Sequence, residues 1–233
     1  MKRAAAAIII VCMLFTLATA GVSASDTQIG MNVSGFFSTK PDGAFINGYI
    51  FTCYGSSVVT YFATWSSDCL SQLDLLQSVH SKHPEYGVFG LLHVDATSTP
   101  EAALAVIAQR GYTFPVIICD SVWQEVVDKS PFIPQSFIVS NEGVITEAWQ
   151  AAFDSTATIL ERLSVWYEKP TADGDVDMNG SVTAADALLA LRMSMDILDY
   201  DYPNIAHGDI NGNGMLDAAD ALAILRLVMF GTY

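Results

Sequence analysis

The chain has 233 residues, a formal net charge of -15 and an apolar share of 52%. That is enough chain for one ordinary domain and one small one, with apolar side chains to fill a core in each. So acidic a polypeptide is repelled by nucleic acid and by anionic membranes, and neither is expected as a partner.

In chain order, Lys2-Arg3, an apolar run from Ala4 through Leu17 and small residues at Ala18-Thr19-Ala20 and Val22-Ser23-Ala24 form the layout of a secretory signal peptide. Residues 1–24 are read as that signal, with cleavage after Ala20 or after Ala24 both open. Its removal takes Lys2 and Arg3 with it and moves the charge to -17. No later segment is long and apolar enough to span a bilayer, so the mature chain is expected outside the cell without membrane insertion.

Residues 25–168 carry α/β punctuation. Val58–Phe62 reads as a buried strand, Ser67–Ser81 has helical spacing through Leu70, Leu73, Leu76 and Val79, and Val88–Val94 is a second strand. A helix over Glu101–Arg110, the run Phe114–Ile118, a strand at Ser136–Val139, a turn at Asn141–Gly143, a strand from Val144 to Trp149 and a closing helix over Ser155–Trp166 complete the order. Strands joined by helices and finishing in a hairpin and a helix predict a small α/β sandwich.

Thr60-Tyr-Phe-Ala-Thr-Trp65-Ser66-Ser67-Asp68-Cys69 resembles the active-site stretch of extracytoplasmic thioredoxin-like proteins of the TlpA and ResA type. Gly111-Tyr-Thr-Phe-Pro115 and Ile133-Pro134-Gln-Ser-Phe-Ile-Val139 continue the likeness, which runs from about residue 34 to residue 168. The resemblance implies a thioredoxin fold, a cis-proline at Pro134 beside the active site, and a groove near Trp65 and Pro134 able to take a peptide or protein partner. It also implies that Ser66 stands where the family has its nucleophilic cysteine, leaving Cys69, the resolving position, as the thiol of the site. A serine at a helix N-terminus neither ionises usefully nor forms a disulfide, so thiol-disulfide exchange by the family mechanism is not expected. The alternative is a divergent extracellular thiol peroxidase or thiol-disulfide oxidoreductase acting through Cys69, since Ser66-x-x-Cys69 also matches a peroxiredoxin pattern. The proline that peroxiredoxins place four residues before their Thr or Ser is Phe62 here.

Three cysteines remain in the mature chain, Cys53, Cys69 and Cys119, and the sequence assigns no pair among them. Cys53 and Cys119 stand beside apolar residues and read as small buried hydrophobes. His80, His83 and His93 look like helix-surface and strand residues, and no strand-turn elbow surrounds Ser66, which argues against a hydrolase triad. Trp123, Trp149 and Trp166 read as core or rim positions, and no paired carboxylates mark a glycosidase.

Residues 169–173 read as a linker, and residues 174–233 as a second domain. Here Asp175-Val-Asp177-Met-Asn179-Gly180, closed by Asp186, is repeated 34 residues later as Asp209-Ile-Asn211-Gly-Asn213-Gly214, closed by Asp220. A hard cation such as Ca²⁺ needs six to eight oxygens around a tight bend, which this spacing of carboxylates and amides about a glycine supplies. Each loop enters a near-copy of one helix, residues 183–195 and 217–229, identical at 8 of 13 positions. Apolar stripes at Leu188, Leu191 and Met195 and at Leu222, Leu225 and Met229 predict that the helices bury those residues against each other. No helix is expected to enter the first loop, which makes each unit half of an EF-hand. Ten Asp against Arg192 and Arg226 leave the segment from Asp173 at -8, half of which two Ca²⁺ ions would cancel.

Loop plus exit helix, duplicated at the end of a secreted chain, resembles a type I dockerin. The resemblance implies a module that folds around two Ca²⁺ ions and plugs into a cohesin domain of a scaffoldin, as in cellulosome-type assemblies for polysaccharide catabolism. The implied ligands are Asp175, Asp177, Asn179, the Ser181 carbonyl and Asp186 in the first loop. In the second they are Asp209, Asn211, Asn213, the Met215 carbonyl, Asp217 and Asp220. The implied cohesin-facing residues are Ala184, Ala185 and Arg192 in one copy and Ala218, Ala219 and Arg226 in the other. The alanine pairs replace the Ser-Thr usual in that family. The fold class expected is thus an α/β thioredoxin-like sandwich followed by a small all-α calcium-binding domain, a duplicated F-hand.

Overall fold

The packing problem set by the sequence is a set of strands apolar on both faces, and the chain solves it with helices above and below one sheet. A computed structural model describes residues 27–231; the signal segment, residues 1–24, lies outside the described residues. The elements are β1 (Phe37–Thr39), β2 (Phe45–Asn47), a 3₁₀ turn (Gly48–Cys53), β3 (Ser56–Phe62), α1 (Ser67–Lys82), β4 (Gly87–Leu92), α2 (Pro100–Arg110), β5 (Val116–Ile118), α3 (Ser121–Val127), β6 (Gln135–Ser140), β7 (Ile145–Trp149) and α4 (Thr156–Val165). The C-terminal part adds α5 (Ala184–Ser194), α6 (Tyr202–Gly208) and α7 (Ala218–Phe230).

The main sheet has the order β5-β4-β3-β6-β7. β3, β4 and β5 are parallel, while β6 runs antiparallel to both β3 and β7. Every residue of β3 is buried, as befits a central strand covered on both faces. Val59, Tyr61, Phe89, Leu91 and Phe137 point to one core, completed by Phe36, Phe51 and Trp123 from the N-terminal segment and α3. Val58, Phe62, Val88, Leu92 and Ile138 point to the other, completed by Leu73, Leu76 and Val79 of α1 and Ile159 and Leu163 of α4. Between them Thr60 and Ser136 share a hydroxyl-hydroxyl hydrogen bond of 2.9 Å, which satisfies both buried groups.

The helices start where side chains can cap them. Ser66, Thr99, Asp120 and Ser155 each accept a first-turn N–H at the head of α1, α2, α3 and α4, and α2 also has Pro100 at its first position and Gly111 in the left-handed conformation after its end. The hairpin β1–β2, α3 and α6 are additions to the expected element list. α6 enters the second loop directly, so the second unit carries an incoming helix and is more than half an EF-hand. Pro203 in its first turn and the Asp201 N–H, donated to Asn204 Oδ1 at 3.0 Å, account for it.

The packing of α5 on α7 corrects the predicted seam. Leu188, Leu191 and Met195, with Leu222, Leu225 and Met229, are exposed; the buried set is Ala187, Ala190 and Met193 with Ala221 and Ile224, closed by Val176 and Leu216 from the loops. The seam is rotated by about one residue because alanines let the helix axes approach, leaving the leucines to flank the contact. Ile224→Ala is therefore expected to destabilise the C-terminal module by about 2–4 kcal/mol and Leu222→Ala by less than about 1 kcal/mol in denaturant titrations followed by circular dichroism. Equal costs would restore the seam predicted from the stripes.

Candidate functional site

The first candidate site lies where β3 ends. The pairing of Tyr61 with Gln135 puts Pro134 at the same end of the sheet as the loop that leads into α1, and the Ile133–Pro134 peptide is cis. Ser66 is the N-cap of α1: its Oγ accepts the Cys69 N–H at 3.3 Å. The hydroxyl is thereby committed to a backbone donor that a helix start leaves unpaired. Cys69 lies in the first turn, fully buried in a core with Leu73 and Phe62, and burial pushes its thiol above the ordinary range against a weaker lowering by the Ser66 hydroxyl. A thiol so placed is protonated at neutral pH and shielded from an incoming disulfide or peroxide.

Around this loop stands a polar chain that the sequence reading did not single out. The Tyr61 hydroxyl and His93 Nδ1 are 2.6 Å apart, His93 Nε2 is 3.3 Å from Asp95 Oδ2, and the exposed Trp65 donates its indole N–H to Asp95 Oδ2 at 2.8 Å. Asp95 is held at about 2, chiefly by the Ser98 N–H and then by the Trp65 and Thr97 donors. Asp95 followed by two N–H donors at Thr97 and Ser98 is an Asx-type turn, the one signal in the sequence that marks this loop. It fixes Trp65 over the loop.

The three cysteines among the described residues, Cys53, Cys69 and Cys119, are free. Cys53 packs in the core on one face of the sheet with Cys119 against it, and Cys69 lies in the core on the other face.

The second candidate site is the pair of acidic loops, which repeat atom for atom. In the first, Asp175 Oδ1 accepts the Asn179 N–H and Oδ2 the Gly180 N–H, while Asp186 Oδ1 accepts the Asp177 N–H and Oδ2 the Thr183 N–H. In the second, Asp209 accepts from Asn213 and Gly214, and Asp220 from Asn211 and Asp217. Asn179 and Asn213 accept the N–H of Ser181 and Met215 in the same way. The bend needs a left-handed residue at the sixth position, filled by Gly180 and Gly214 at φ +86° and +85°.

The donors present in these loops fit a hard cation. Carboxylate oxygens of Asp175, Asp177 and Asp186 lie within 4.8 Å of one another. Asp186 and Asp220 are fully buried and Asp175 nearly so, and among the described residues none of the three has a Lys, Arg or His within ion-pair distance. Burial, followed by the Asp186 charge, raises the Asp177 carboxyl above its ordinary value. Thr183 and Asp217 cap α5 and α7 through the N–H groups of Ala185 and Ala219. Asp217 thus faces its helix and the Asn213 amide as well as the loop.

Ala184, Ala185, Arg192, Ala218, Ala219 and Arg226 are all exposed. Between α5 and α7 runs an open groove of about 340 Å³ in which each wall repeats the other: Ala184, Ala187, Leu188 and Leu191 face Ala218, Ala221, Leu222 and Leu225.

Comparison with protein-family models and with curated sequences finds no match. Solved structures similar to this chain include a secreted Mycobacterium tuberculosis disulfide oxidoreductase, at 17% identity and a TM-score of 0.48, over 60% of this chain and 99% of that one. A thiol:disulfide interchange protein of the thioredoxin family from Chlorobium tepidum aligns at 15% identity and TM-score 0.48, over 59% and 96% of the two chains. StoA from Bacillus subtilis aligns at 19% and 0.45, over 55% and 95%. The sheet order, the helices on both faces and the cis-proline make the α/β domain thioredoxin-like. No helix among the described residues is long and apolar enough to cross a membrane.

Two measurements check the Ser66 site. Ser66→Ala should cost about 1 kcal/mol of stability through loss of the cap, with Ser66→Asp recovering most of it. Ellman's reagent at pH 8 should modify Cys69 more than about 10-fold more slowly in the native chain than in the denatured chain, because burial raises its thiol; equal rates would mean an open, activated sulfur.

Proposed function

We propose that this chain is a secreted two-module protein whose C-terminal module folds around two Ca²⁺ ions and docks as a dockerin into a cohesin domain of a scaffoldin. The observation that carries this reading is the pair of buried carboxylates, Asp186 and Asp220, with no Lys, Arg or His paired to either among the described residues, each closing an oxygen-lined loop of the same design. Asp175, Asp177, Asn179, Asp186 and the Ser181 carbonyl would hold one ion; Asp209, Asn211, Asn213, Asp217, Asp220 and the Met215 carbonyl would hold the other. Each ion would supply positive charge at the head of a helix and draw the loop oxygens together. The exposed alanine pairs, Arg192, Arg226 and the leucine-lined groove then form a surface with two nearly equivalent halves. In this reading the thioredoxin-like domain is the delivered unit. Its surface near Trp65 and Pro134 would bind a peptide or protein partner without redox turnover, because Ser66 replaces the nucleophile and caps α1.

A second reading, an extracellular thiol peroxidase or thiol-disulfide oxidoreductase acting through Cys69, draws support from the position of that thiol in the first turn of α1. Peroxide treatment separates the two. The first reading expects no sulfenic acid at Cys69 by mass spectrometry and no insulin reduction with dithiothreitol, whereas turnover abolished by Cys69→Ala would establish the second.

Calorimetric titration tests the metal. Two Ca²⁺ per chain are expected, with Asp175→Ala and Asp209→Ala each removing one tight-binding event, and chelator abolishing capture by immobilised cohesins. Helix content indifferent to Ca²⁺ and to chelator would rule the reading out.

A further inference from the structure

The two modules meet at a cluster of soft donors. The 3₁₀ turn ends at Cys53, a member of the α/β core, and sets its Sγ 3.2 Å from His207 Nε2 and 3.5 Å from Met178 Sδ. Cys53 and His207 are buried. The opposite ring nitrogen of His207, Nδ1, is 2.8 Å from Asp173 Oδ1, an acceptor-only partner that places the ring proton on Nδ1 and leaves the Nε2 lone pair facing the sulfur. The Tyr49 ring stacks on the His207 ring at 5.5 Å and closes the outer side.

A thiol-imidazole hydrogen bond would by itself account for Cys53 and His207. It does not account for Met178. The fourth position of both loops is left-handed, and the second loop fills it with Gly212 at φ +72°. The first loop uses Met178 at φ +58°, a conformation unfavourable for a side chain with a Cβ. The repeat therefore departs from its own economical solution at the position that brings a thioether to Cys53.

We propose that Cys53, Met178 and His207 form a site for a monovalent copper ion, with Asp173 orienting His207. Thiolate, thioether and imidazole are the donors that Cu(I) selects, and a carboxylate on the far nitrogen of a ligating histidine is the usual outer support. Ca²⁺, which takes oxygens, does not compete for it. Binding exchanges a proton for the metal: the Cys53 S–H bond breaks, an S–Cu bond forms, the proton leaves to buffer, and copper stays in the +1 state. Cys53 is buried, so the incoming metal displaces that proton at the site itself. Metal bonds of about 2.3 Å to sulfur and about 2.0 Å to nitrogen require the 3.2 Å sulfur-nitrogen separation to open to about 3.6 Å. The ligands come from both modules, so the ion would staple them together.

The test is an anaerobic titration of the full chain in saturating Ca²⁺ with Cu(I) held by a chromophoric chelator. One Cu(I) per chain is expected, with two sulfurs and one nitrogen in its X-ray absorption spectrum. Cys53→Ser should weaken binding about 100-fold or more and Met178→Leu about 10-fold with loss of one sulfur, while Cys69→Ser and Cys119→Ser leave affinity unchanged. Wild-type affinity in Cys53→Ser overturns the proposal, as does an unchanged sulfur count in Met178→Leu. Calcium-dependent circular dichroism of each variant reports its folding; if Cys53→Ser fails to fold, the Met178→Leu sulfur count decides.

Discussion

Two aspartates organise the C-terminal third of this chain. Asp186 and Asp220 each sit without solvent contact at the third residue of a helix, one oxygen on the N–H that begins the helix and the other on an N–H at the start of the preceding loop. They clamp loop to helix. Their position near a helix N-terminus and the two backbone N–H groups each accepts are electrostatically favourable. The divalent cation proposed for each loop would add to this and would help so small a core, little more than Val176, Ala190, Leu216 and Ile224 with their neighbours, to organise three helices.

The α/β domain rests on a different balance. Its sheet is covered on both faces, and its cores are built from large aromatic and branched side chains. At the point where a thioredoxin-type domain would present a nucleophile, the same physical feature, the unpaired N–H groups of a helix start, is served by a neutral cap. Ser66 spends its oxygen on Cys69 N–H. The Tyr61–His93–Asp95–Trp65 chain forms an ordered polar rim around the loop that leads into α1.

Much of this was legible in the sequence. β3, α1, β4, α2, β6, β7 and α4 lie within a residue or two of the expected spans because continuous apolar runs and capped helical spacing leave little choice. The two loops and the aspartates that close them stood out because the motif is written twice, whereas the backbone N–H groups that Asp186 and Asp220 accept did not. The hairpin β1–β2 was not, since its three-residue strands leave Phe37 and Phe45 65% and 74% exposed and carry no burial pattern. α3 and α6 are seven residues each, below the length at which periodicity speaks. The α5–α7 seam was misplaced because leucine outranks alanine on any hydrophobic scale, whereas close helix approach rewards the smaller residue. The meeting of Tyr49 and Cys53 with Asp173, Met178 and His207 joins positions more than a hundred residues apart, and no local pattern announces it.

The claim on which the account turns is that the C-terminal module owes its order to cations while the α/β domain does not. Amide hydrogen exchange of the full chain, with and without Ca²⁺, tests it most directly. The account predicts that α5, α7 and both loops gain protection of about 10²-fold or more on adding Ca²⁺ while β3 and β4 are unchanged. Equal protection of α5 and α7 in chelator would contradict it.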